Sequence, residues 1–194
     1  MIDISGWIYS IFGPYGGWGI LLCVFLIFFI DAVIFPTLPE LFFMFGFFYQ
    51  PTLEFGIALL LIASVGEVLG VTILYLIVKK IGVPERIRRI FNKYIDFLVV
   101  SDERIFLVNR FAPMIPFSGA FISLVDRWSY KKCMAYILLG CYIKYGLILV
   151  LAAFFYISFD PAVAQNLSLV LIVAVIVLSF IASFLKKKKT VAEL

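Results

Sequence analysis

Four apolar runs, 18–35, 55–78, 133–157 and 163–185, approach the ~20 residues that a helix needs to cross a bilayer. Two further runs, 36–50 and 105–125, are just as apolar but carry internal prolines: Pro36 and Pro39 in one, Pro113 and Pro116 in the other. Proline removes a backbone donor and clashes one turn back, so each pair should break its helix instead of bending it. After Pro84, one helical face gathers Ile87, Ile90, Phe91, Tyr94, Ile95 and Leu98 opposite Arg88, Arg89 and Asp96, the pattern of an amphipathic helix lying in a membrane interface. The expected chain is all-α. A helix over 18–35 enters a first re-entrant element at 36–50, followed by a spanning helix at 54–79 and an interfacial helix at 84–100. A second re-entrant hairpin at 103–126 leads to spanning helices at 131–157 and 163–185 and a basic tail at 186–194. These elements form one polytopic membrane domain over 1–194. Gly13, Pro14, Gly16 and Gly17 interrupt the first 17 residues and leave the side of the N-terminus open.

Composition sharpens the class. With 64% hydrophobic residues, 14% charged residues and a mean hydropathy of +1.14, a soluble domain of 194 residues is excluded, and lipid is the expected solvent. The first 78 residues contain no Lys or Arg, so the basic region of a cleaved signal peptide is missing and the N-terminus is expected to be retained. The net charge of +4 arises in loops beside apolar runs, which points to orientation and anionic headgroups and away from nucleic acid. Cys23, Cys133 and Cys141 lack metal-ligand spacing and the chain has no His, so packing cysteines are expected, with no metal and no cofactor.

Basic residues also predict topology. Lys79, Lys80, Arg86, Arg88, Arg89, Lys93 and Arg104 crowd one loop, which the positive-inside rule holds in the cytoplasm together with Lys186 to Lys189. The 158–162 connection carries Asp160 and no basic residue, so 133–157 and 163–185 cross outward and then inward, placing Arg127, Lys131 and Lys132 inside. With Arg104 and Arg127 on one side, 105–125 must enter and return. Residues 103–112 as helix would reach about 15 Å, half of a ~30 Å hydrocarbon core, and the two prolines would form the tip. Broken backbone at that depth must face protein or a wet cavity. The expected location is a cell (plasma or inner) membrane.

A shift of 77 residues lays Pro36-Thr37-Leu38-Pro39 on Pro113-Met114-Ile115-Pro116, Ala63 on Gly140 and Glu67 on Lys144. Helix 54–79 must run inward and helix 131–157 outward, so the repeat is expected to be inverted, with two hairpins entering from opposite leaflets and meeting at the midplane. The competing readings of each proline pair are a kinked core helix or an ordinary loop. Small residues along 63–70 allow a close helix contact within or between chains, which leaves a homo-oligomer open.

Five ionisable residues lie in or beside the apolar runs: Asp31, Glu40, Glu67, Arg110 and Lys144. Charge at membrane depth is costly, which makes each a candidate functional residue. Glu40 follows Pro39 and should head the returning half-helix, where the helix dipole favours a carboxylate. Glu40, Asp31 and Glu67 are candidates for proton or ion coupling; Arg110 and Lys144 are candidates for binding an anionic headgroup, Arg110 through its planar fork of donors. The competing reading for all five is internal ion pairing. No nucleophile elbow, phosphate loop or paired-carboxylate site is present, so an enzyme is not expected.

Over about 30–155 the sequence resembles the DedA family, also called the SNARE-associated or VTT-domain family. The resemblance rests on Pro39-Glu40 with Gly46, the glycine-rich helix with Gly66, Gly70, Tyr75 and Gly82, the element Phe106, Arg110, Phe111 and Pro113 with Gly119, and Tyr136 with Gly140. Many bacterial members carry a second arginine where this chain has Pro116, so the resemblance carries Arg110 alone. It implies movement of lipids: a flippase-like transporter of a polyprenyl (undecaprenyl-type) phosphate or a phospholipid, dependent on the proton motive force, or a scramblase. Membrane lipids and a lipid-linked phosphate are the partners it implies. A proton-coupled exporter of small solutes and a non-transporting membrane scaffold are the other expectations left open.

Overall fold

The computed structural model describes residues 4–34, 37–85, 89, 102–111, 115 and 117–160, and then 163, 164, 166, 167, 169, 170, 173, 174 and 177. Most of the expected interfacial helix 84–100, much of the 163–185 span, the tail 186–194 and the tip residues Pro36, Pro113 and Pro116 lie outside the described residues. Those described contain helices and no strand. In chain order they are α1 (Ile4–Phe12), a 3-10 turn (Gly13–Tyr15), α2 (Gly16–Val33), α3 (Pro39–Tyr49), α4 (Leu53–Ile81), α5 (Ile105–Asn109), α6 (Ser118–Leu124) and α7 (Tyr130–Ser158). Three stretches are long and apolar enough to cross a membrane: Gly6–Val33, Leu53–Ile81 and Tyr130–Ser158.

Local chemistry sets the boundaries. The Thr52 hydroxyl accepts the Phe55 amide at 3.3 Å and starts α4; Gly82, at φ +70°, ends it with its amide on the Val78 carbonyl. Pro39 fits the first turn of α3, where a missing amide costs nothing. The helix ahead of the second proline pair is shorter than the expected 103–112. It has five helical residues, Ile105–Asn109, or about 7.5 Å of rise. The cause lies at both ends: the Asp102 carboxylate takes the Arg104 amide at 3.0 Å, and the bonds from Arg110 to Leu107 and from Phe111 to Val108 span three residues instead of four.

Glycines bring α2 and α4 together. A Cβ on Gly66 would sit 2.7 Å from the Phe25 carbonyl oxygen, and one on Gly70 would sit 2.6 Å from the Ala32 Cβ. Gly17 approaches Phe55 near the starts of both helices, so the partners advance in step and the helices run parallel. The small-residue stripe therefore serves a contact within the chain. Between α4 and α7 the order reverses: Gly56 meets Leu149, Ser64 meets Cys141 and Thr72 meets Tyr130, so these helices are antiparallel. Each has 29 residues, and their first and last positions differ by the same 77 residues that separate Ser64 from Cys141. The helix α3 fills the space between α2, α4 and α7, with Gly46 against Leu59, Ile20 and Val24. The helix α6 lies on α4, where a Cβ on Gly119 would meet the Val71 carbonyl oxygen at 2.4 Å.

Two apolar clusters result, one around Phe28, Phe43, Leu59 and Tyr145, the other around Val71, Phe106, Ile122 and Trp128. Outward faces carry Leu61, Leu69, Leu147, Val150 and Phe154, as a lipid solvent allows.

Candidate functional site: a buried charge centre

Between these clusters lie all five ionisable residues singled out from the sequence. Glu67 on α4 pairs with Arg110 at the end of α5, and Glu40 in the first turn of α3 pairs with Lys144 on α7. The pairs are long-range: Lys144 and Glu40 stand 104 residues apart in sequence. Because α4 and α7 are antiparallel, Glu67 lies one way along the bundle from the Ser64–Cys141 contact and Lys144 the other. Each is three residues from it, so the two pairs are separated by roughly 9 Å of helix rise.

The pairs differ in access. Glu67 is 4% exposed and Arg110 13%, whereas Glu40 and Lys144 are 11% and 17% exposed. The Arg110 stem lies over Gly140, where a Cβ would come within 2.7 Å of its Cγ. Gly140 is thus the notch that lets the guanidinium reach Glu67. Asp31, near the end of α2, interacts electrostatically with both Glu67 and Arg110. Its Oδ1 accepts the Thr37 amide at 2.6 Å and the Thr37 hydroxyl at 3.0 Å, closing the turn into α3. Three carboxylates therefore share the centre with two cations, an excess of one carboxylate.

Sequence reasoning overlooked four participants. Asn109 does for the second proline element what Asp31 does for the first: its Oδ1 accepts the Ile115 amide at 2.6 Å and its Nδ2 donates to the Ile115 carbonyl at 3.0 Å. Both clamps span six residues, so a polar side chain shortly before a proline pair was the available signal. Thr37 and Ser64 are the second and third; the Ser64 hydroxyl donates to the Leu60 carbonyl at 2.7 Å and touches Cys141 at 3.9 Å. The fourth is Tyr145, fully buried between Phe28 and Phe43, with ring centroids 4.8 Å and 5.2 Å away. The Lys144 ammonium lies 5.6 Å from its ring centroid. Its hydroxyl and Glu67 Oε2 are buried with no hydrogen-bond partner among the described residues.

Of the expected tip residues, Pro39 stands at the head of α3 and the other three are outside the described residues. Cys23, Cys133 and Cys141 are free and buried in the packing. Among the described residues no group of His, Cys, Asp and Glu is arranged to hold a metal. Fold and site together define a helical membrane protein with a charge centre enclosed between its spans. No protein-family model, curated protein or solved structure matches the chain.

Proposed function

We propose that the chain is a DedA-like lipid transporter that carries an anionic headgroup, of a polyprenyl phosphate or a phospholipid, past a buried charge centre while the lipid tail stays in the bilayer. The observation that carries this reading is the pair of ion pairs enclosed between apolar spans, with one carboxylate in excess. Buried ion pairs contribute little net stability, so a centre of this kind is poorly explained as scaffolding. A cation of the centre can receive a phosphate in exchange for its carboxylate, and the excess carboxylate can carry a proton or another monovalent cation that couples the movement to a gradient.

The re-entrant hairpins and the inverted repeat belong to the same proposal. Their support is the antiparallel pairing of two 29-residue helices at a 77-residue offset, the contact of Ser64 with Cys141 at that same offset, as expected of residues beside a two-fold axis, and the matching six-residue clamps of Asp31 and Asn109. In this arrangement the loop 79–104 and the C-terminal tail face the cytoplasm of a cell membrane, as their basic residues require.

Reconstitution tests the reading. Protein in vesicles loaded on one leaflet with a polyprenyl phosphate or a fluorescent anionic phospholipid should accelerate its appearance on the other, faster under a pH or sodium gradient. Lys144→Gln should remove most of that rate. Acceleration without any gradient, and equal for zwitterionic lipids, would identify a scramblase; no acceleration of any lipid by folded protein would end the proposal.

A further inference from the structure

The Tyr145 hydroxyl is, with Glu67 Oε2, one of two buried polar atoms of the centre that have no hydrogen-bond partner among the described residues, and it is the only donor of the two. Tyr145 is fully buried, its ring is fixed by Phe28 from α2 and Phe43 from α3, and its oxygen has no partner among the described residues. A phenylalanine would make the same ring contacts without the cost of a buried unsatisfied hydroxyl. Such a hydroxyl is free to take an acceptor in another state of the protein.

The acceptor can be identified from the surroundings. Charged or titratable groups face Tyr145 from several elements: Asp31 on α2, Glu40 on α3, Arg110 at the end of α5, and Cys141 and Lys144 on α7. Glu40 has the strongest claim among the acceptors. It heads the helix whose next turn places Phe43 on the Tyr145 ring, and its Lys144 partner lies beside that ring. At rest Lys144 occupies Glu40 Oε1. An anionic headgroup that drew Lys144 away would leave a buried carboxylate uncompensated, which is the expensive outcome for any ion pair that loses one member. A hydroxyl already dehydrated and held alongside can donate to that carboxylate without further desolvation, and hydroxyl-to-carboxylate bonds are short and strong.

We infer that Tyr145 is a positioning residue that takes over the Glu40 carboxylate when an anionic headgroup draws Lys144 away, so that headgroup binding exchanges one donor on Glu40 for another. The inference rests on the carrier reading above and adds the bound state to it. Glu67 with Arg110 takes no part in the exchange and stays paired.

Tyr145→Phe, which preserves the ring contacts, tests it in purified full-length protein. The probe is a short-chain polyprenyl monophosphate, read by the shift it produces in melting temperature and by equilibrium binding. Without probe, Tyr145→Phe should melt at or above the wild-type temperature; with probe, its affinity should fall about tenfold, the loss of one bond to a charged acceptor. In a Glu40→Gln background, where no carboxylate needs a donor, Tyr145→Phe should change affinity no further. Equal affinity of Tyr145→Phe and wild type would overturn the inference, as would a loss of similar size in the Glu40→Gln background, which would mark a packing role. Wild-type protein that binds neither this probe nor a short-chain anionic phospholipid would overturn the carrier reading and the exchange together, and it is recognised separately because it needs no variant.

Discussion

The two ion pairs of the centre use the same kinds of groups and differ in how they are held. Arg110 reaches Glu67 from a five-residue helix through a notch that only glycine provides, and the carboxylate it meets is almost wholly enclosed. Lys144 extends a flexible stem from the middle of α7 to a carboxylate on the first turn of α3, and both retain some exposure. A planar fork in a fitted notch locks; a point charge on a four-carbon stem can let go. The contrast teaches that a buried charge pair is not one kind of object: here one pair is fitted into a notch, and its neighbour, in the carrier we propose, is the one placed to exchange partners.

Cutting each pair from its acidic side gives the largest expected effect. Glu67→Ala leaves Arg110 unpaired in a dry notch and should cost about 3–5 kcal/mol in reversible unfolding from detergent. Glu40→Ala leaves Lys144 with a route toward solvent and should cost about 1–3 kcal/mol. Equal losses would abolish the distinction between lock and exchange site. The notch can be probed without touching a charge: Gly140→Ala sets a methyl 2.7 Å from Arg110 Cγ and should cost about 1–3 kcal/mol. Gly146→Ala on the same helix meets nothing within 4 Å and should gain roughly 0.5–1 kcal/mol, so thermal melts of the two variants should move in opposite directions.

The smallest effect lies outside the spans. The Ser129 amide, donated to Glu103 at 3.1 Å ahead of α7, holds that carboxyl below its ordinary value. A depressed folded-state value contributes stability above the ordinary glutamate range, about pH 4–5, and that contribution disappears as pH falls through the lower folded value. Glu103→Gln should therefore lower stability slightly and evenly at neutral pH, converge on the wild type in acid, and so flatten the acid limb of the stability profile. A variant profile that parallels the wild type down to pH 3 would remove Glu103 from the account.

Apolar length and proline placement were enough to locate α4 and α7 within a few residues and to put Glu40 at the head of α3, because helix length and termination are local properties. The pairing of charges was not legible. Glu67 with Arg110 and Glu40 with Lys144 follows from the antiparallel meeting of α4 and α7, and the sequence offers six acid–base pairings of three carboxylates with two cations. Tyr145 was not legible because its significance lies in two phenylalanines from two other helices that seal it. The short reach of α5 was missed because the Asp102 turn competes with helix by side-chain bonding, which hydrophobicity does not register.

Gly66 and Gly70 have a mechanical consequence. Rods whose backbones touch must share every tilt, so lateral pressure from surrounding acyl chains acts on α2 and α4 as on a single stiff beam. The α7 rod meets that beam through side chains opposite Gly56, Ser64 and Thr72, so load passes to it through softer contacts. Arg110, resting on α7 while gripping Glu67 of the beam, is the rivet between the two.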